Sequence, residues 1–247
     1  MLMKRAVMKG PKQTVLEVVP VPSIAPDEIL VRMKYCGVCR SEHDAWKEAW
    51  DGRLLGHEPV GVIEKVGCAI TNFVMGDKVS GLSHPTLAEY VVFKEKYTVK
   101  IPDELSVEDA MGGPLACLVS VISKLPLSEF AEKVAVVGCG FMGLWAISLH
   151  KMKNTVSIIA VDVREEARQN ALEMGDDEAY HPNEVPSLYP ATWENGCEGG
   201  LPIMTEWTEN EQELDLAGRM TRTDGVLSIG SYLFRRQTQR RYAVVEL

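Results

Sequence analysis

The ten residues VAVVGCGFMG, at positions 134–143, decide the fold of the second half of this 247-residue chain. Val134 to Val137 form an apolar run typical of a buried strand, and helical character follows the run. Between the two stands a complete GxGxxG pattern. Gly138 permits a tight turn, Gly140 lets the backbone approach a pyrophosphate, and Gly143 allows the helix to pack closely on the strand. The stretch therefore predicts a dinucleotide-binding turn.

Helical character is predicted for residues 144–152 after this turn, and the N-terminus of that helix would offer free N–H groups to the anion. Phe141 and Met142, between the second and third glycines, are also predicted to bind the cofactor. Asp162 lies 19 residues beyond Gly143, at the end of the next apolar run. That is the place of a carboxylate that accepts hydrogen bonds from ribose hydroxyls. Because a carboxylate repels a 2′-phosphate, NAD is favoured over NADP. Arg164, two residues further on, weakens that preference.

The pattern beyond the turn alternates strands with helices, which predicts a parallel sheet. Strands are predicted at 157–162, near 179, at 203–207 and at 226–229, with helices at 165–174 and 211–220. With the first strand this makes five, whereas a complete fold of this kind usually has six. Residues 182–200 are predicted to form a long surface connection. The tail after Tyr232 contains four arginines, at 235, 236, 240 and 241, and is interpreted as a solvated end, with phosphate recognition as the alternative.

The first half of the chain has a different pattern, in which short β-type runs alternate with Gly and Pro. The runs are 14–21, 28–34, 60–66, 77–80 and 88–93. Such spacing predicts a small antiparallel barrel or sandwich.

Composition excludes several classes of protein. The chain is 46% hydrophobic and 25% charged, with a formal charge of −9, so it is neither disordered nor a general phosphate-backbone binder. Its apolar runs are far shorter than the ~20 residues of a membrane-spanning helix, and no secretory signal is evident. We therefore expect a cytoplasmic protein without nucleic-acid or membrane partners.

Cysteine and histidine residues raise the possibility of a metal site. Cys36 and Cys39 form a CxxC pair, but no second pair occurs, which argues against a four-thiolate structural zinc site. A catalytic zinc takes three ligands from separated segments, and His57-Glu58 and Cys117 could complete such a set with Cys39. Taken singly, a cysteine is more often a small buried residue, and a histidine more often a surface or core residue, than a metal ligand.

Four motifs together resemble the zinc-dependent medium-chain alcohol dehydrogenase family. They are Cys39-Arg40-Ser41-Glu42, Gly56-His57-Glu58, Gly76-Asp77-Lys78-Val79 and Pro114-Leu115-Ala116-Cys117. The resemblance covers essentially the whole chain. It implies a GroES-like catalytic domain, an antiparallel β-barrel at 1–118, followed by an incomplete Rossmann domain, a doubly wound parallel sheet, at 119–247.

The resemblance also implies the roles of single residues. Cys39, His57 and Cys117 would bind one catalytic zinc, with Glu58 as an exchangeable fourth ligand or supporting group. Ser41 would hydrogen-bond the reacting oxygen and pass its proton outward, with His43 as the second candidate for this relay. However, His43 follows Cys39 by four residues, whereas the family's relay histidine generally follows by five.

Two further departures concern whole segments. The family's lobe of four closely spaced cysteines would follow the Gly-Asp-Lys-Val motif, but Gly81 is followed almost directly by Leu87, so no structural zinc is expected. Segments for the sixth strand and for the return to the catalytic domain are missing. The chain is thus expected to be incomplete, and the family's homo-oligomer is doubtful.

These expectations lead to one main hypothesis and two alternatives. The main hypothesis is a zinc-dependent oxidoreductase that transfers a hydride between an alcohol or polyol, or the matching carbonyl compound, and NAD. One alternative is a zinc-free quinone or enone reductase of the same superfamily. The other is a catalytically impaired remnant that binds zinc or cofactor without turnover.

Overall fold

The computed structural model describes residues 1–126, 133–153, 155, 157–190 and 199–231. The chain divides into two compact units, Met1–Ala116 and Cys117–Leu247.

The first unit is built from antiparallel strands. β1 (Leu2–Gly10) and β2 (Gln13–Pro20) pair as a two-stranded sheet. A five-stranded sheet has the order β6-β3-β4-β5-β7. Its strands are β3 (Glu28–Gly37), β4 (Glu58–Val66), β5 (Lys78–Gly81), β6 (Tyr90–Lys94) and β7 (Thr98–Lys100). A cluster of buried apolar side chains forms its core: Ile29, Val31, Ile63, Phe73, Val79, Val91 and Phe93.

The register of this sheet sets the position of the candidate metal ligands. β3 pairs with β4 so that Gly37 lies opposite Glu58. The helix α1 (Ser41–Lys47) begins four residues after Gly37. The end of β3 and the start of β4 are therefore held together, although about twenty residues of chain separate them.

The second unit contains a parallel sheet with the strand order β10-β9-β8-β11-β12. The strands are β8 (Lys133–Val137), β9 (Ser157–Val161), β10 (Glu178–Tyr180), β11 (Leu201–Glu206) and β12 (Thr221–Ile229). The helices are α3 (Phe141–Lys151), α4 (Glu165–Glu173) and α5 (Glu211–Met220), and α2 (Gly112–Ser123) spans the division between the units.

Both faces of the parallel sheet are covered, which makes the sheet doubly wound. Ala135 and Val137 of β8 pack in a cluster with residues of α5, including Ala217. Val136 of the same strand belongs to a second cluster with Ile147 of α3 and other helical residues. Because alternate residues of a strand point to opposite faces, an unbroken run of apolar residues is required here.

The predicted fold class is confirmed: an antiparallel sheet of the GroES-like type precedes a parallel sheet of the Rossmann type. The predicted helix at 211–220 has the observed bounds, while β1, β7, α1 and α2 were not predicted. The surface connection at 182–200 starts with a 3₁₀ turn at Pro182–Glu184. Part of it, at 191–198, and the four tail arginines lie outside the described residues. None of the described helices is long and apolar enough to cross a membrane.

Candidate metal centre and cofactor turn

Three of the predicted metal ligands of the first unit meet at one point. Cys39, His57 and Glu58 each contribute one ligand atom, and these atoms all lie within 4.8 Å of one another. Nε2 of His57 lies 4.0 Å from Oε1 of Glu58. Cys117 is exposed and lies on α2, in the second unit. Its part in a metal site stays a prediction.

The carboxyl group of Glu58 lies against the backbone of β3. A Cβ added to Gly37 would come within 2.2 Å of Oε2 and 3.0 Å of Cβ of Glu58, so a larger residue here would displace the Glu58 side chain. Burial raises the pKa of Glu58, and the charge of Glu42 raises it further, while His57 and a hydrogen bond with Cys39 lower it. Glu58 is thus a half-buried carboxyl group beside a thiol and an imidazole.

The residues predicted for proton transfer lie at the start of α1. The hydroxyl of Ser41 donates a hydrogen bond to Sγ of Cys39 at 3.2 Å, which places it beside the three ligand atoms. The ring of His43 stacks on Trp46, with 6.2 Å between the ring centroids, and its Nδ1 lies 3.9 Å from Oδ1 of Asp44. The structure therefore links Ser41 to the cluster, whereas the relay role of His43 stays a prediction.

Glu42 belongs to this site and was not predicted as a site residue. Its side chain is buried, Oε1 lies 3.3 Å from Nδ1 of His57, and the same oxygen accepts the backbone N–H of Gly56. With Nδ1 held by this carboxylate, Nε2 of His57 is the ring atom directed to the cluster. The sequence signal was an acidic residue directly after Ser41, but only the pairing of distant segments shows what it contacts.

A cavity of about 370 Å³ also borders His57. Leu82, Ser83, His84 and Tyr97 complete its lining. Nδ1 of His84 lies 2.9 Å from the carbonyl oxygen of Gly56. His84 was not singled out in the sequence because nothing in its neighbourhood marks it as different from a loop histidine.

The glycine turn in the second unit has the predicted local geometry. Gly138 has a φ of +91°, in the left-handed region that favours glycine, and its N–H donates to the carbonyl of Val161 at 2.8 Å. A Cβ on Gly143 would lie 1.8 Å from the carbonyl oxygen of Gly138. α3 begins at Phe141, so Phe141 and Met142 stand in its first turn.

Asp162 and Arg164 lie beside this turn, and their role in cofactor binding stays a prediction. A cavity of about 290 Å³ is lined by Gly138, Gly140, Asp162, Val163, Arg164, Trp207, Thr208, Asn210 and Glu213. Oδ2 of Asp162 accepts the N–H of Cys139 at 2.8 Å, and the guanidinium of Arg164 grips both carboxylate oxygens at 3.1 and 3.0 Å. Burial would raise the pKa of Asp162, but the hydrogen bonds from Arg164 and Cys139 outweigh it and hold the pKa below its usual value.

The far wall of the same cavity comes from the segment after β11 and from α5, through Trp207, Thr208, Asn210 and Glu213. A Cβ on Gly138 would lie 2.5 Å from Cγ2 of Thr208, so the loop after β11 closes on the glycine turn. Glu206, fully buried, accepts hydrogen bonds from Thr208 and from the hydroxyl of Ser231. This buried carboxylate ties the loop after β11 to the residues that follow β12.

The two units, an antiparallel one followed by a doubly wound one with a GxGxxG turn, define a class of two-domain α/β proteins. Residues 25–103 match the family model of the alcohol dehydrogenase GroES-like domain. The chain belongs to the medium-chain family of zinc-dependent alcohol dehydrogenases.

Two curated relatives illustrate the similarity. The alcohol dehydrogenase of Geobacillus stearothermophilus is 32% identical over 218 residues, which are 73% of this chain and 64% of that protein. The D-xylulose reductase A of Aspergillus niger is 26% identical over 196 residues, 64% of this chain and 54% of that protein. The chain therefore spans less than two thirds of the length of these relatives.

A solved structure shows the same fold. A protein from Sinorhizobium meliloti 1021, bound to NADP in that structure, superimposes with a TM-score of 0.85 at 20% identity. The match covers 98% of this chain and 80% of that one.

Proposed function

We propose that this chain is part of a zinc-dependent oxidoreductase that transfers a hydride between an alcohol or polyol and NAD. One observation carries the proposal: a thiol, an imidazole and a carboxylate lie within 4.8 Å of one another in a chain that also bears a dinucleotide turn. The two relatives named above, an alcohol dehydrogenase and a D-xylulose reductase, support an alcohol or polyol as the substrate.

The donor set fits zinc. Sulfur and nitrogen ligands are preferred by Zn²⁺, and catalytic sites commonly combine three protein ligands with an open position. Cys39, His57 and Glu58 offer three such ligands within one unit, and Cys117 is proposed as a further one. The contact of Nδ1 of His57 with Glu42 is the kind of support that orients a metal-binding imidazole.

The chain's own residues would divide the work as follows. A bound zinc supplies Lewis-acid chemistry, which makes an alcohol proton easier to lose. Ser41, whose hydroxyl already lies 3.2 Å from Sγ of Cys39, accepts that proton and passes it outward, with His43 as a further carrier. Glu42 holds the ring of His57 in place.

The glycine turn, with the first turn of α3, would bind the pyrophosphate of the cofactor, and Asp162 its ribose. NAD is the proposed cofactor. However, the ion pair with Arg164 offsets part of the negative charge of Asp162, so NADP is expected to bind as a weaker alternative. The hydride step itself belongs to the cofactor, and the protein supplies placement and field.

Metal analysis of the purified, zinc-loaded chain tests the metal site first. We expect one zinc per chain, retained after dialysis, and a loss of that zinc in Cys39→Ser and His57→Gln. Cys68→Ser is the matched control, because Cys68 is an exposed cysteine of the same unit outside the cluster. Less than stoichiometric zinc in the wild type would favour the zinc-free quinone or enone reductase instead.

Reduction of NAD in the presence of primary alcohols, polyols and threonine tests the reaction. The screen is run on this chain and on any longer natural version. Turnover that depends on zinc and is lost in Cys39→Ser supports the proposal. Stoichiometric zinc and cofactor binding with no turnover in either version would contradict the dehydrogenase and favour a binding protein.

A further inference from the structure

The cavity beside His57 contains a second imidazole whose orientation is fixed by the backbone. The carbonyl oxygen of Gly56 can only accept a hydrogen bond, so Nδ1 of His84, 2.9 Å away, must carry the hydrogen. In the neutral ring, Nε2 is then the bare nitrogen. His84 is an exposed residue, and among the described residues Nε2 has no hydrogen-bond partner.

The backbone that His84 contacts is the peptide that carries His57. The N–H of Gly56 donates to Glu42, and its carbonyl accepts from both the ring of His84 and the N–H of Thr86. Gly56 has a φ of +98°, which glycine adopts without strain. The hydrogen bonds of Gly56 therefore link the positions of the two imidazole rings, because His57 follows Gly56 in the chain and His84 contacts its carbonyl.

The rest of the lining offers little competition for a polar group at Nε2. Leu82 contributes an apolar side chain, and the hydroxyl of Tyr97 makes no hydrogen bond to His84 among the described residues. The hydroxyl of Ser83 donates its hydrogen bond to the carbonyl oxygen of Val92 at 3.0 Å, so it is not available to Nε2. A hydrogen-bond donor that enters the cavity next to His57 therefore meets the acceptor of His84.

We propose that Nε2 of His84 accepts a hydrogen bond from a second hydroxyl group of the substrate, and so selects diols and polyols over simple alcohols. The inference rests on the proposed dehydrogenase function, in which the first oxygen lies at the cluster of Cys39, His57 and Glu58. A carbon skeleton with hydroxyls on neighbouring carbons would place one oxygen at the cluster and the other in the cavity that His57 and His84 both line. His84 is then a residue that sets specificity by touching the substrate.

Three substitutions separate this role from a structural one. His84→Asn keeps a donor near the position of Nδ1, so the bond to Gly56 survives while the acceptor is lost. His84→Gln extends to the position of Nε2 and offers a carbonyl oxygen there, which should restore part of the selectivity. His181→Asn, in the other unit, removes an imidazole that instead accepts the N–H of Asn183.

The measurement compares 2,3-butanediol with 2-butanol, which share one carbon skeleton, using the zinc-loaded protein. We expect the wild type to prefer the diol in kcat/KM. His84→Asn should lower kcat/KM for the diol by about two- to tenfold, the worth of one hydrogen bond, and leave 2-butanol within about twofold. His181→Asn should change neither substrate.

A second readout is independent of turnover. Histidine-ring ¹⁵N spectra of the zinc-loaded protein are recorded as each alcohol is added. The diol, but not 2-butanol, should shift the Nε2 resonance of His84. Equal losses on both substrates in His84→Asn, or an unmoved resonance with the diol, would overturn the inference while the dehydrogenase function stands. The function, and the inference with it, would be overturned if neither this chain nor a longer natural version, loaded with zinc, oxidised 2,3-butanediol, 2-butanol or any substrate of the screen described above.

Discussion

Oε1 of Glu42 lies 3.3 Å from Nδ1 of His57, although one side chain is on α1 and the other stands just before β4. The same oxygen holds the N–H of Gly56, so one buried carboxylate fixes both the backbone and the ring of the segment that presents His57. The thiol of Cys39 and the carboxyl of Glu58 complete the cluster around the opposite edge of that ring.

Glu42→Gln should weaken zinc binding by roughly 10–100-fold, because an amide orients the imidazole and raises its basicity less than a carboxylate does. Competition with a chromophoric chelator measures the zinc affinity. Asp44→Asn is the matched control, since it removes a carboxylate from the same helix that contacts His43 and Lys47 instead of His57. Equal affinities for Glu42→Gln and the wild type would show that Glu42 does not support the metal site.

Alanine at two glycines of the cofactor turn should have different effects, on stability at Gly143 and on cofactor affinity at Gly140. Gly143→Ala places a methyl group 1.8 Å from a backbone carbonyl, so it should destabilise the fold by about 1–3 kcal/mol. At Gly140 the nearest atom to a new Cβ is the guanidinium of Arg164 at 3.7 Å, so the fold should tolerate alanine. Cofactor affinity should nevertheless fall roughly tenfold, because the pyrophosphate needs that approach.

Thermal unfolding and fluorescence titration with NAD distinguish the two variants. A lowered Tm in Gly143→Ala with an unchanged Tm in Gly140→Ala is the expected pattern. Full NAD affinity in Gly140→Ala would mean that the cofactor does not approach the backbone at this turn.

Arg164→Ala should shift cofactor preference further toward NAD. Its guanidinium grips both oxygens of Asp162, and without it the carboxylate would repel a 2′-phosphate more strongly. The ratio of the Kd for NADP to the Kd for NAD should rise by roughly tenfold, which corresponds to a loss of about 1.4 kcal/mol of binding energy for the 2′-phosphate. Fluorescence titration of both cofactors measures this ratio without turnover.

Arg168→Ala is the control for that experiment. Its guanidinium contacts the backbone carbonyls of Asp162 and Val163 at 2.9 and 3.0 Å, so it carries the same charge without touching the carboxylate. A rise in the ratio in both variants would point to general charge loss and contradict a specific role for Arg164.

Two buried groups of the second unit should oppose each other in the pH dependence of stability. Burial, with a minor contribution from Lys153, lowers the pKa of His150 to about 4. The unfolded chain then binds more protons between about pH 4 and 6.5, so this group makes stability rise with pH. Burial raises the pKa of Asp176 to about 7; the charge of Lys151 opposes this shift, and the charge of Asp177 adds to it. The folded chain then binds more protons than the unfolded chain between about pH 4 and 7, so this group makes stability fall as the pH rises.

Single substitutions should expose each contribution. In Asp176→Asn only the effect of His150 remains, so the free energy of unfolding should rise by up to about 1.4 kcal/mol per pH unit toward pH 6.5. In His150→Leu only the effect of Asp176 remains, so the free energy of unfolding should fall by a similar amount per pH unit. Urea unfolding at pH 5, 6 and 7 measures both slopes. Slopes of the same sign in the two variants would contradict the assignment.

The sequence by itself determined the class of fold and those features of each site that are formed by residues close together in the chain. Local sequence pattern was enough to predict the glycine turn, the carboxylate after β9 and the helix at 211–220, because each depends on neighbouring residues and on periodicity. The strand β7 has three residues, and α1 has seven, with polar residues among its first turn, so neither carried a pattern long enough to predict.

Only the tertiary structure decided which distant groups meet. The pairing of Gly37 with Glu58 brings Cys39, His57 and Glu58 together and gives Glu42 its partner. The fold of the loop at 82–86 turns His84 toward Gly56, and the packing of Arg164 on Asp162 changes what that carboxylate can offer a cofactor. Such contacts depend on sheet register and side-chain packing between separate segments, and a residue's neighbours along the chain carry no record of either.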